Sequence, residues 1–280
     1  MTPARFAVMS DTHLTPAGAE DGRWNNILRR SVSGELVQAA VGDIAAAGHD
    51  RVIVLGDVSD LGAADAVRTV LDAASAAGLQ PWAVPGNHDV SSDPDTVTQA
   101  VAGCAGSVAI RHEQLGGPGQ ILVCGPGLRS QDGGQTCHAT GLPDLAAESS
   151  RLLLWASHYP VLSMASRLRP LGLRYSGDLE NLPDVQAVIG RFRGPVLVLH
   201  GHLHTSVTGQ DGPVLQIGVP AIVEWPHAWT EVCIELTRDE VTVTTTLIPV
   251  SGDWSSADVN TVLDGPEQHW VSDGSGWRRA

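Results

Sequence analysis

A chain of 280 residues with 42% hydrophobic and 17% charged residues carries enough apolar material for a sizeable core and does not have the composition of a disordered protein. Its 31 acidic against 17 basic residues leave a formal charge of −14, and the basic residues are scattered, so no patch offers counterion-release binding to duplex nucleic acid. An acidic surface repels anionic ligands at long range, so an anionic substrate would need a local positive centre, which bound metal ions would supply.

In chain order, Arg5 to Met9 alternates into an apolar run that reads as a strand, and Glu35 to Ala47 carries helical spacing that Gly48 ends. Arg51 to Leu55 reads as a second buried strand, Ala63 to Ala77 as a helix stopped by Gly78, and Pro81 to Val84 as a short third strand. This strand–helix rhythm implies parallel pairing through right-handed crossovers. Further strands are expected at Ile121 to Cys124, Leu152 to Ala156, Val196 to Leu199, Val214 to Ile217, Val232 to Leu236 and Val241 to Ile248. Ser91 to Gly119 and Gly125 to Pro143 are rich in Gly, Pro and Asp and read as loops over one face. We expect one domain over residues 1–250 and a C-terminal arm over 251–280. That arm would pack Trp254, Trp270 and Trp277 on the domain or on a partner subunit, which leaves a homodimer open.

The start, MTPARFAVMSD, has too short an apolar stretch for a signal peptide, and no apolar run approaches the roughly 18 residues of a membrane span, so a cytoplasmic protein without a membrane partner is expected. Cys104, Cys124, Cys137 and Cys233 form no CxxC pair; buried reduced thiols are the expectation, with a Cys104–Cys137 disulfide left open.

Polar clusters follow the expected strands at Ser10-Asp11-Thr12-His13, Gly56-Asp57 and Gly86-Asn87-His88-Asp89, where open α/β sheets gather their ligands. Asp11 and His13 stand at a spacing that can direct a carboxylate and an imidazole to one ion. Asp57 follows a glycine whose missing Cβ lets backbone crowd a ligand, although a capping Asp would look the same. Asn87 offers an amide oxygen, with the imidazole of His88 beside it. His200, His202 and His204 place three imidazoles within five residues at a strand end, which points to metal ligation. His158 by itself would be an ordinary buried histidine.

Taken together, DxH, GD, GNH followed by an acidic residue, a lone His and GHxH form the ordered pattern of the calcineurin-like metallophosphoesterase superfamily, which this chain resembles from Asp11 to His204. The resemblance implies an α/β fold, a four-layer αββα sandwich of two mixed sheets flanked by helices. It implies two metal ions of manganese, iron or zinc type, one on Asp11, His13, Asp57 and His204, the other on Asp57, Asn87, His158 and His202, with Asp57 as the bridge. His88 and Asp89 match the family's catalytic positions, and a hydroxide bridging the ions would attack phosphorus. His200 matches no role and reads equally as an outer neighbour of a ligand or as buried polar structure. Asn87, His88 and Trp225 are candidate substrate contacts, and Glu224 stands near them as a possible pocket floor.

Within the superfamily, Ser10 to His13, Gly56 to Gly62 and Pro85 to Asp89 are most similar to bacterial class III cyclic nucleotide phosphodiesterases. Ser157 and Tyr159 replace that group's paired histidines around His158. A small phosphate ester is therefore the expected partner and a phosphodiester, cyclic nucleotides among them, the expected substrate. A phosphomonoesterase or nucleotide pyrophosphatase using the same ligands, with loops such as Ser163 to Gly177 setting the difference, is the alternative. A non-enzymatic scaffold of the same fold fits the intact ligand set poorly.

Overall fold

The alternation at the N-terminus becomes strand β1 (Ala4–Met9) in a computed structural model of the chain, which describes residues 3–16, 19–90, 107–108, 113–115, 120–131, 134–138 and 142–280. Phe6 and Val8 point to one apolar cluster, Ala7 and Met9 to another, as a period of two requires. A small hairpin of β2 (Gly22–Arg23) and β3 (Ile27–Leu28) leads to helix α1 (Ser33–Ala46), β4 (Arg51–Val54), helix α2 (Ala64–Ala76) and β5 (Gln80–Ala83). Short strands β6 (Ser107–Val108) and β7 (Glu113–Leu115) precede β8 (Ile121–Cys124) and a hairpin of β9 (Gly127–Gln131) and β10 (Gly134–His138). The second half runs through β11 (Leu152–Ser157), β12 (Val196–His200), β13 (Thr208–Asp211), β14 (Val214–Gly218), β15 (Ala228–Leu236) and β16 (Val241–Pro249). It ends with β17 (Glu267–Ser272) and β18 (Trp277–Arg279).

Two mixed sheets result. One has the order β18-β17-β16-β15-β1-β4-β5-β6, parallel across β1, β4 and β5; the other has the order β13-β14-β12-β11-β8-β7, parallel across β8, β11, β12 and β14. Strands covered on both faces carry near-continuous apolar runs. In β11, Leu152, Leu154 and Ala156 face the cluster between the sheets, while Leu153 and Trp155 face an outer cluster with Val185 and Ile189 of the helix Leu182–Ile189. On the far side Leu36, Val37, Ala40, Val41 and Ile44 of α1 and Val67, Val70, Leu71 and Ala74 of α2 cover the first sheet. Three apolar layers separate four layers of structure, the expected αββα sandwich. Both helices stop as read: Gly48 (φ 79°) and Gly78 (φ 85°) follow them in left-handed conformation, and Leu79 N–H closes onto Ala74 O at 3.0 Å.

The structure adds elements that periodicity missed. β13 is polar on its surface side and pairs antiparallel with β14, and β15 starts four residues before the expected Val232 because Ala228 to Thr230 keep register with β16, with Thr230 also pairing with Val8 of β1. After residue 250 the chain returns to extend the first sheet through β17 and β18. Trp270 and Trp277 enter the layer between the sheets, their N–H groups donating to Gln268 Oε1 (3.2 Å) and Pro213 O (2.8 Å), while Trp254 packs half-buried on the helix side. Burial pushes the Cys124 and Cys137 thiols up to about 12; Cys104, the other half of the possible pair, lies outside the described residues, as do most of the Ser91 to Gly119 loops and His112. No helix of the described residues is long and apolar enough to cross a membrane.

Because Trp270 and Trp277 complete the inter-sheet core, the native protein should resist protease after Ser251, and Trp277→Ala should cost about 3–5 kcal/mol of unfolding free energy. Rapid trimming near Ser255 with an unchanged denaturation midpoint would contradict this packing.

Candidate metal centre

Five strand ends converge. Asp11 and His13 leave β1, Asp57 leaves β4, Asn87 and His88 leave β5, His158 leaves β11, and His202 and His204 leave β12. The loops stay paired beyond the strands: Asp11 N–H donates to Gly56 O (3.1 Å), His13 N–H to Asp57 O (2.9 Å) and Gly201 N–H to His158 O (3.1 Å). Asp11, His13, Asp57, His202 and His204 all sit at positive φ, between 38° and 66°. Left-handed backbone costs a residue with a Cβ about 1–2 kcal/mol, and such strain survives only where the surroundings over-determine it. Close approach does so here. A Cβ on Gly56 would lie 2.7 Å from Gly86 N and 2.8 Å from His158 Nδ1, one on Gly86 would overlap Asp57, and one on Gly201 would overlap Ser10 and Asp11.

These loops bring together hydrogen-bond acceptors. Asp11 Oδ2 accepts from His202 N–H (3.1 Å) and the Ser10 hydroxyl (2.5 Å), leaving Oδ1 buried with no hydrogen-bond donor other than the histidine ring nitrogens around it. Asp57 Oδ1 accepts from His88 N–H (2.8 Å), while its Oδ2 lies 3.2 Å from His158 Nε2 and 3.8 Å from His13 Nε2. The imidazoles are tied from outside: His13 Nδ1 donates to Asp60 Oδ1 (3.0 Å), His158 Nδ1 to Leu55 O (2.7 Å) and His204 Nδ1 to Glu224 Oε2 (2.5 Å). With one nitrogen of each ring so bonded, the neutral ring turns a lone pair inward. His204 Nε2 then faces Asp11 Oδ1 at 3.2 Å, and His158 Nε2 faces Asn87 Oδ1 at 3.2 Å and His202 Nδ1 at 3.3 Å. Asp11, His13 and His204 form one group able to hold a metal ion, and Asp57, His158 and His202 another.

The electrostatics state the same demand. Burial alone would raise the Asp11 and Asp57 carboxyls, but His204 beside the first and His158 beside the second hold both well below the usual carboxylate range. Burial would lower His158 and His204, yet Asp57 and Asp11 respectively raise them to about 9 and about 10, with Glu224 adding to the second. Burial and the neighbouring His158 push His202 well below its ordinary value. Carboxylate and imidazole thus stabilise each other's charge at this point, and the oxygen and nitrogen donor set suits divalent metals.

Several residues that sequence reading passed over complete the site. Asp60 bonds three of its parts: Oδ1 accepts from His13, Oδ2 from Arg30 (3.0 Å), and its main-chain oxygen from His88 Nδ1 (2.8 Å). It stands three residues after Asp57, the one local signal that could have found it. Ser176 bonds His202 Nε2, and Tyr159 stacks on His202 with ring centroids 3.8 Å apart. A cavity of about 290 Å³ opens over the centre, lined by Trp24, Leu28, Arg30, His88 and Ser176 together with His13, Asp57, Asn87, His202 and His204.

Other expected residues fall elsewhere. Asp89 is fully buried and accepts from the N–H groups of Ser59 (2.8 Å), Gly86 (2.9 Å) and Val58 (3.1 Å); burial, with Asp57 nearby, raises it to about 7. It clamps the Asp57 loop to the Asn87 loop and is not among the residues that line the cavity. Trp225 is also absent from the lining, where Trp24 stands instead; its backbone oxygen accepts from Thr261. Glu224 lies under His204 instead of flooring the pocket. His200 is buried, held at about 4 by burial, and bonds Gly201 O, which makes it buried polar structure. His49, His138, His227 and His269 bond Glu231, Thr136, Ile222 with Ser255, and Thr244, away from the centre.

Two facing mixed sheets with clustered Asp and His side chains at their strand ends have the architecture of a metallophosphoesterase. The profile of the calcineurin-like phosphoesterase family matches residues 4–206, and the chain belongs to that family. In structure it is similar to a dimetal phosphatase from Danio rerio, with a TM-score of 0.62 and 16% identity over 89% of this chain and 100% of that one. It is also similar to purple acid phosphatase PPD1 from yellow lupin, with a TM-score of 0.52 and 12% identity over 91% of this chain and 53% of that one. No curated protein matches it in sequence.

Glu224→Gln keeps the size of the side chain while removing the charge behind His204, and outer partners of this kind are worth about 10–100-fold in metal affinity. Chelator competition should show a loss of that order, and affinity equal to the wild type would show that the contact with His204 is only structural.

Proposed function

We propose that the chain is a dinuclear-metal phosphodiesterase. The observation that carries this reading is the buried meeting of two carboxylates, an amide oxygen and inward-turned imidazole nitrogens, an arrangement of acceptors that cations stabilise. One ion would be held by Asp11, His13, Asp57 and His204, the other by Asp57, Asn87, His158 and His202. Asp57 Oδ2, between His13 and His158, supports its role as the bridge. Manganese, iron and zinc all suit this donor set. When bound, two such ions supply electrostatic stabilisation to phosphoryl oxygens and a more acidic water.

The chain's own residues do the rest. His88 also groups with His13 and Asp57, but its side chain is 41% exposed on the cavity, and the bond from Nδ1 to Asp60 O orients the ring so that Nε2 can deliver a proton to a departing ester oxygen. Asn87 and His88 would contact the phosphoryl group, and Asp89 fixes the loop that carries them. The diester preference rests on the similarity of three motifs to class III phosphodiesterases and on charge. Arg30, the sole Arg or Lys lining the cavity among the described residues, is already paired with Asp60, which suits one negative charge better than the two of a monoester.

Asp57→Asn should lose both metals together and nearly all activity; elemental analysis finding two ions with wild-type turnover would remove the bridge. For the wild type, kcat/KM should be higher on bis(p-nitrophenyl) phosphate than on p-nitrophenyl phosphate, and faster monoester cleavage would move the assignment to a phosphatase. His88→Ala should keep both metals and lose about 10²–10⁴-fold on an alkyl diester, whose leaving group needs a proton. An undiminished rate would remove His88 as the acid.

A further inference from the structure

The cavity has a wall that the metal centre does not require. It comes from the hairpin between β1 and α1, where Trp24 begins the turn, Leu28 ends β3 and Arg30 follows. The ring of Trp24 lies 6.2 Å from that of His204, centroid to centroid, so a group joined by a short linker to a phosphoryl at the metal centre would reach it. We propose that Trp24 and Leu28 form a subsite for one alcohol half of the ester and that it selects a flat aromatic group; this deepens, and rests on, the phosphodiesterase reading.

The wall is built to stay in place. Trp24 N–H donates to Asn26 O (3.0 Å), and the two asparagines after it are buried and bonded on every side. Asn25 donates to Leu203 O (3.5 Å), in the loop between His202 and His204, and accepts from Arg174 N–H (2.8 Å). Asn26 Oδ1 accepts from the N–H groups of Asp258 (2.8 Å) and Val259 (3.0 Å), Asn26 Nδ2 donates to Val259 O (3.1 Å), and its own N–H donates to Glu224. A surface turn needs none of this; a ligand-facing indole gains from it, because a ring already fixed loses little freedom when a partner stacks on it.

The chemistry of the wall narrows what it takes. The Arg174 guanidinium lies over the Trp24 ring, 5.3 Å from its centroid, and Trp24 but not Arg174 is among the described residues that line the cavity. Leu28 adds apolar surface. Arg30 donates to Asp60 Oδ2 (3.0 Å) and Glu20 O (3.2 Å), so its charge is offset and it offers no free clamp to a second phosphate. An aromatic group fits such a surface; a polyol or a pyrophosphate does not.

The test uses the metal-loaded enzyme and two diesters of matched leaving-group chemistry, methyl 2-phenylethyl phosphate and methyl 2-cyclohexylethyl phosphate. The wild type should prefer the phenyl ester about 3–10-fold in kcat/KM, the worth of one aromatic pair beyond area burial. Trp24→Phe should keep the preference, and Trp24→Leu should abolish it, mainly through KM, with metal content unchanged. Equal rates on the two esters by the wild type, a measurement that needs no variant, would overturn the subsite, as would a preference that persists in Trp24→Leu. If the wild type cleaves neither diester, the phosphodiesterase reading fails separately, and the same comparison on the corresponding monoesters still decides the subsite.

Discussion

Acceptors do not gather in a protein interior without a reason, since a buried polar atom left without a partner costs about 1–3 kcal/mol. Here Asp11 Oδ1 and Asp57 Oδ2 stand with the inner nitrogens of His13, His158 and His204 and the amide oxygen of Asn87, all near one point and nearly all buried. The imidazoles and carboxylates are held there by partners on their far side: Asp60, Leu55 and Glu224 fix the imidazoles, and the N–H groups of His202 and His88 fix the carboxylates. Much else in the chain follows from that constraint. Five residues accept left-handed backbone, Gly56, Gly86 and Gly201 give up their side chains to let loops cross, and Asp89 binds two loops by three backbone N–H groups.

The sandwich makes this possible because it places loops from both sheets at a common end. Strands covered on both faces supply a rigid base, with Phe6, Ile53, Leu154 and Leu199 meeting between the sheets a few residues before the ligands emerge. The C-terminal strands extend that base and send Asp258 and Val259 back to hold the Trp24 turn. The net charge of −14 then has a place in the picture: a surface of that sign repels anions in general, and the metal centre would be the local exception.

Two carboxylates tie the metal centre to the substrate wall. Asp60 joins His13, His88 and Arg30, and Glu224 joins His204 to the backbone of Asn26. A candidate ligand imidazole and the hairpin segment therefore share one anchor on each side of the cavity, so the position of the hairpin relative to the imidazole cluster is set by side-chain bonds as well as by its own short ladder.

Much of this was legible in the chain itself. β8 and the strand–helix succession of the first half were legible because period-two and period-3.6 patterns reflect local geometry, and the candidate site was legible because Asp11, His13, Asp57, Asn87, His158, His202 and His204 lie at strand ends in a recognisable order. β17, β18 and β13 were not, since their residues make strands only by pairing with partners already in place. Nor were the roles of Asp60, Ser176, Trp24 and Asp89. A ligand is marked by its residue type and its place after a strand, but an outer partner is defined by what stands opposite it, and the residues opposite, up to about 200 positions away for Asn26 and Glu224, meet only when the two sheets close on each other.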